Sequence, residues 1–171
     1  MHKDADSHNV VKGLKVVYKG LFDMSDLYKE IKSWLDNKNY GDENSDFKEE
    51  TYVERLKGDS KQIEVKWICE KDASDYSKNQ IIITFFAVGL SEAEIDWKGK
   101  KIKTNQGEIE INISSNLITN AAGKWDQKSL MKRMYEKMIV KDRIQDEMIE
   151  LYNDTYSLQD TIKSFLELRQ F

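Results

Sequence analysis

Apolar and polar positions alternate with two periods along this chain, and the switches between them mark out its elements. Residues 14–22, LKVVYKGLF, alternate weakly and contain β-branched residues, which predicts a strand. Asp23 or Ser25 then caps a helix over roughly 24–37, because a short acceptor side chain satisfies the free amides of a first turn. Leu27, Ile31, Trp34 and Leu35 fall at helical spacing there, with Met24 and Tyr28 beside them. In residues 47–56, FKEETYVERL, Phe47, Thr51 and Val53 share one face and Tyr52 and Leu56 the other, as at a bulge or a sheet edge. Lys57-Gly58-Asp59-Ser60 forms a turn. Residues 62–70, QIEVKWICE, alternate cleanly, with Ile63, Val65, Trp67 and Cys69 inward and Glu64 and Lys66 outward. Residues 80–90 are apolar on both faces, Ile81, Ile83, Phe85 and Ala87 against Ile82, Phe86, Val88 and Leu90. Such a strand calls for cover on both sides.

Turn signals set the next register. Lys98-Gly99 suits a two-residue hairpin, which pairs Asp96 with Lys101, Ile95 with Ile102 and Glu94 with Lys103. A second turn at Asn105-Gln106 would pair Ile102 with Ile109 and Lys101 with Glu110, giving a three-strand meander with opposite charges adjacent. After Ala121-Ala122-Gly123 the period becomes helical. A segment over roughly 126–139 carries Leu130, Met131, Met134, Tyr135 and Met138. Asp142 and Gln145 resemble a capping box, so a break is expected near 140–142. The last helix, roughly 142–168, spaces Ile144, Met148, Leu151, Thr155, Leu158, Ile162 and Phe165 as a heptad seam. The seam lacks regular flanking charge pairs and contains Thr155, so it is expected to pack on its own sheet and leave a monomer. Pairing with another chain is the alternative. The sum is an α+β fold: a twisted antiparallel sheet of five to six strands, a short N-terminal helix, and a long C-terminal helix packed on one face.

Composition narrows the chemistry. The 171 residues make one domain's length, read as a disordered tail over 1–13 and a single domain over 14–171. Both histidines, His2 and His8, lie in that tail, which leaves no imidazole for a catalytic triad in the body. The eight glycines form no phosphate-binding loop. A single cysteine supports neither an internal disulfide nor a zinc cluster. Cys69, on an inward face, reads as a small buried hydrophobe. No apolar run reaches the ~18 residues of a membrane helix, and the N-terminus has no apolar leader core. A cytoplasmic protein is expected.

The remaining candidates each have a plainer reading. Asp142, Asp146, Glu150 and Asp154 put four carboxylates on one helical stripe, read here as a solvated face with no metal. Glu108 and Glu110 read as cross-strand partners of lysines, not as a glycosidase pair. Residues 98–103, KGKKIK, and residues 124–143, net +4, are locally basic, with Trp97 and Trp125 nearby. They make nucleic acid a weak alternative partner, set against a whole-chain charge of −4. No catalytic residue and no cofactor is assigned. The double-sided strand and the methionine-rich helix point to a non-enzymatic binding module. It would hold an apolar small molecule in a sheet–helix cavity, or present a surface to a protein partner. Its candidate residues are Trp67, Phe85, Met131, Met134, Met138, Leu151 and Leu158.

The order strand, helix, antiparallel strands, long C-terminal helix resembles the helix-grip arrangement of the Bet v 1/START-like superfamily. That resemblance implies a curved sheet wrapped on the long helix, able to enclose an apolar cavity. It departs in showing one short helix after the first strand where two are usual. The segments KGLFDMSDLYKEIKSWL (19–35), EIEINISSNL (108–117) and YEKMIVKDRIQDEMIELYNDTYSLQDTIKSFL (135–166) resemble a family of small archaeal proteins with no assigned function. That second resemblance implies no catalytic residues.

Overall fold

The computed structural model describes residues 5–40, 47–123 and 130–168. In chain order the elements are β1 (Asp6–Phe22), α1 (Met24–Asn37), β2 (Lys48–Lys57), β3 (Ser60–Asp72), β4 (Ser77–Trp97), β5 (Lys100–Thr119), α2 (Leu130–Tyr135), a π-helical turn (Glu136–Val140) and α3 (Lys141–Leu168). All five strands form one antiparallel sheet in the order β1-β5-β4-β3-β2, so the first strand closes against the last. This is the α+β architecture expected from the pattern. The strand expected from residue 14 starts at Asp6, so residues 6–13 are not a disordered tail: His8 pairs with Leu117 and Asn9 with Asn116 of β5. Residues 1–4 lie outside the described ones.

Helix α1 has the expected bounds. Asp23 sits at its N-cap in extended conformation and its carboxylate accepts the Asp26 amide at 2.8 Å. The Lys98-Gly99 hairpin also has the expected register, Ile95 with Ile102, Asp96 with Lys101 and Glu94 with Lys103. Both turn residues have positive φ, 50° and 78°, as a turn matched to strand twist requires. The second turn of the expected meander does not exist. β5 runs straight through Asn105-Gln106, and Ile109 pairs with Ala87 and Tyr18 while Glu110 pairs with Phe86 and Val17. Two features explain the polar run that mimicked a turn. The Asn105 carboxamide oxygen accepts the Met24 amide at 3.2 Å, helping to cap α1. β4 bulges at Gly89 (φ 62°) opposite Gly107, where a Cβ would lie 3.0 Å from the Leu90 Cα.

The core lies between one sheet face and the helices. Ile63, Val65, Trp67 and Cys69 of β3, Ile81, Ile83, Phe85 and Ala87 of β4, and Ile109, Ile111 and Ile113 of β5 face Leu27, Ile31 and Leu35 of α1 and Leu151, Leu158 and Ile162 of α3. Thr155, the polar member of the seam, donates to the Leu151 carbonyl (2.7 Å) and is 2.9 Å from the Ser115 hydroxyl of β5. The seam therefore packs on its own sheet, as its composition suggested. The other sheet face departs from expectation: among the described residues Val17, Phe86 and Val88 stay exposed. Their neighbours are polar. Phe86 stands between Glu64 and Glu110, and Thr84 between Lys66 and Asn112. A side-chain chain crosses four strands there, Asn9 to Asn116 (3.0 Å), Asn116 to Gln80 (3.1 Å) and Gln80 to Glu70 (2.6 Å).

No capping box and no break occur at 140–142, where Lys141 is already helical (φ −55°, ψ −49°); the irregularity is a π-turn just before, at Glu136–Val140. α2, the π-turn and α3 thus follow one another without interruption from Leu130 to Leu168. The portion of the methionine helix expected before residue 130 lies outside the described residues, as does Trp125.

Candidate functional site

A cleft of about 530 Å³ opens between α1 and the β2–β3 edge of the sheet. α1 contributes Tyr28, Lys32 and Asp36, four residues apart and so stacked on one side of the helix. Phe47, Glu49 of β2 and Trp67 of β3 form the opposite wall. Trp67 is the hub. Its indole N–H donates to Glu49 Oε2 at 2.9 Å, and its ring meets Phe85 at 4.8 Å, Phe47 at 5.4 Å and Tyr28 at 5.4 Å. These tilted and edge-to-face contacts stiffen the wall. Lys32 Nζ lies 4.2 Å from the Phe47 ring centre and 3.0 Å from Asp36. The Tyr28 hydroxyl is buried with no hydrogen-bond partner among the described residues. Burial, then the nearby Tyr52 and Glu49, pushes its ionisation well above the usual phenol range. A buried hydroxyl without a partner costs about 1–3 kcal/mol. Two lysines, Lys29 and Lys32, and two acids, Asp36 and Glu49, line this cleft, so it has no strong field of either sign.

Two further clefts differ in character. One, about 640 Å³, lies by Met24, Tyr52 and Leu90 and is rimmed by Glu54, Asp59, Glu92 and Lys61. The other, about 480 Å³, follows the Gly89–Gly107 bulge. None of the three includes a residue of α3. Leu151 and Leu158 are fully buried against the sheet, so neither offers a partner surface. The structure brings Trp67 and Phe85 together and sets Met131, Met134 and Met138 apart from them, exposed on α2 and the π-turn.

The carboxylate stripe of the last helix is divided. Asp142, Asp146 and Glu150 are exposed, but Asp154 is buried and accepts from Lys38 (2.9 Å), Lys71 (3.2 Å) and the Tyr40 hydroxyl (3.4 Å). Lys71 also lies 4.6 Å over the Tyr40 ring. Asp154 thus clamps the C-terminal end of α1, the end of β3 and α3 together, a structural role that heptad spacing could not disclose. Burial and the Asp154 charge keep the Tyr40 phenol protonated. Cys69 is fully buried and its thiol is pushed up to about 12 by burial, which leaves almost no thiolate near neutrality. Among the described residues no group of three or more His, Cys, Asp or Glu side chains could hold a metal ion. At the basic hairpin tip Lys101 pairs with Glu94 at 3.1 Å, and Lys132 of α2 is buried against Asp6. The Trp97 side chain lies outside what is described.

Phe47, Tyr28 and Glu49 are functional candidates that the pattern along the chain did not single out. Trp67 points inward on β3, and Phe47, just before β2, packs against the core beside it; their apolar character was the available signal.

No family model matches the chain. No curated protein matches it either. An uncharacterized protein from Rhizobium leguminosarum aligns over 96% of this chain and 99% of its own at 7% identity, with a TM-score of 0.24. At that similarity it bears on neither fold nor function. No helix among the described residues is long and apolar enough to cross a membrane.

Proposed function

We propose that the protein is a non-enzymatic binding module that holds a flat, apolar, ring-bearing small molecule in the cleft between α1 and the β2–β3 edge. The observation that carries this reading is the aromatic wall of Trp67, Phe47 and Tyr28 around an open volume of about 530 Å³. Pockets of this size with mostly apolar walls and few polar groups are the usual form of small-molecule sites. The balanced charge of the rim favours an uncharged ligand. The Glu49 carboxylate would orient a single polar substituent. This places the ligand along α1, whereas the helix-grip likeness would put it under the long helix. The likeness to small archaeal proteins and the cytoplasmic setting belong to the same proposal. They rest on the quoted segments and on the lone cysteine.

Titration with the neutral dye N-phenyl-1-naphthylamine tests the reading. Its emission should rise saturably at one site per chain, and Phe47→Ala should weaken binding at least fivefold while leaving the melt nearly unchanged. Emission that does not saturate, or that Phe47→Ala leaves untouched, would overturn it.

A further inference from the structure

The helix running from Leu130 to Leu168 carries a second apolar stripe besides the seam buried on the sheet. Leu130, Met134, Met138, Ile149, Tyr152 and Tyr156 are 36–76% exposed. The π-turn aligns the two halves of this stripe. Its one wider turn holds Met134 and Met138, four residues apart, over the side that Ile149 and Tyr156 continue. The stripe spans about 40 Å at 1.5 Å per residue.

The spacing of apolar and polar positions along it is nearly symmetric about a point between Arg143 and Ile144. Leu130 and Tyr156 are equidistant from that point within one residue, as are Met134 and Tyr152, Met138 and Ile149, and Asp142 and Gln145. Charge follows the same symmetry with opposite sign. Among exposed side chains, residues 130–143 hold Arg133, Lys137, Lys141 and Arg143 against Asp142, and residues 144–168 hold Asp146, Glu150, Asp160 and Glu167 against Lys163.

We infer that this stripe is the contact surface for a second copy of the chain, the two helices lying antiparallel across a two-fold axis at Arg143–Ile144. That arrangement sets apolar on apolar along the whole stripe. Met134 meets Tyr152 of the other copy, Met138 meets Ile149, and the polar pair Asp142 and Gln145 meets at the centre. It also lays the basic half of each helix beside the acidic half of the other. A parallel pair would stack like charge on like charge. Methionine opposite tyrosine suits the contact, since a thioether packs well against an aromatic edge. The interface is isologous, as two-fold dimers require. It is independent of the cleft.

Sedimentation equilibrium of the full chain, with crosslinking, tests this. The mass should move from 20.1 kDa toward the dimer value as concentration rises into the micromolar range, and retreat in high salt. Ile149→Asp and Met138→Asp should each raise the dissociation constant at least tenfold with an unchanged circular dichroism spectrum. These positions are exposed, so the variants should fold. Under mild oxidation the double variant Met138→Cys with Ile149→Cys should form a disulfide-linked dimer, and neither single variant should. A monomer at all concentrations would overturn the inference. So would a dimer indifferent to Ile149→Asp, or Met138→Cys crosslinking on its own as fast as the double variant.

Discussion

Asp154 shows how one side chain can carry a different role from its neighbours in a periodic stripe. Its three companions at four-residue intervals lie in water, while it joins Lys38, Lys71 and Tyr40 under the C-terminal end of α1. Asp154→Ala should leave the largely buried Lys71 with only the exposed Glu150 at 3.4 Å as counter-charge. The expected cost in a urea melt is on the order of 2–3 kcal/mol, below the ~3–5 of a fully buried pair because Lys38 stays half exposed. A cost under about 0.5 kcal/mol would remove the clamp from the account. Cys69 gives a prediction in pH. The native state holds the thiol proton up to about 12, whereas the reference thiol loses it near 9.0. Unfolding therefore releases a proton in that window, and the contribution of this group falls as pH rises through it and is constant below. At pH 8 the native thiol should react with 5,5′-dithiobis(2-nitrobenzoate) far more slowly than the unfolded chain, being both buried and held protonated.

Among the elements, α1 and the first hairpin were legible because each rests on local chemistry. The Asp23 cap, the apolar spacing of Leu27, Ile31 and Leu35, and the Lys98-Gly99 turn are all set within a few residues. What failed was non-local. The polar run Lys103–Glu108 has the composition of a turn, but its strand is held by pairing with β4 and β1 and by Asn105 reaching the start of α1. Residues 6–13 read as a tail because their partners, Ser115–Thr119, are more than a hundred positions away. Trp67 and Phe85 could be placed inward by alternation. Their joining with Phe47 and Tyr28 into a cleft depends on where α1 lands on the sheet, which no local pattern encodes. The core assignment itself is open to test. Phe85→Ala should cost on the order of 3–5 kcal/mol, from lost transfer energy plus a cavity. Thr155→Val should cost about 1–3 kcal/mol by leaving the Ser115 hydroxyl buried without its partner. Leu158→Asp should unfold the chain, since that side chain lies wholly within the core.

At the scale of the molecule the two faces of the sheet have separate fates. One carries the helices and the core. The other keeps Phe86 and Val88 exposed among charged and amide neighbours. The binding reading places the ligand at the margin of the covered face, where α1 and β2 diverge, and leaves α3 as a closed strut. The Trp67 indole N–H, held by Glu49 at the wall of that cleft, is a direct reporter of occupancy. The decisive measurement is a nitrogen-15 correlation spectrum of the indole resonances during titration with N-phenyl-1-naphthylamine. The Trp67 signal should shift saturably, together with the backbone amides of Tyr28, Lys32 and Glu49, while those of Phe86 and Glu110 on the open face stay in place. Shifts confined to the open face or to Met131–Met138, with the Trp67 indole unmoved at saturation, would contradict the account.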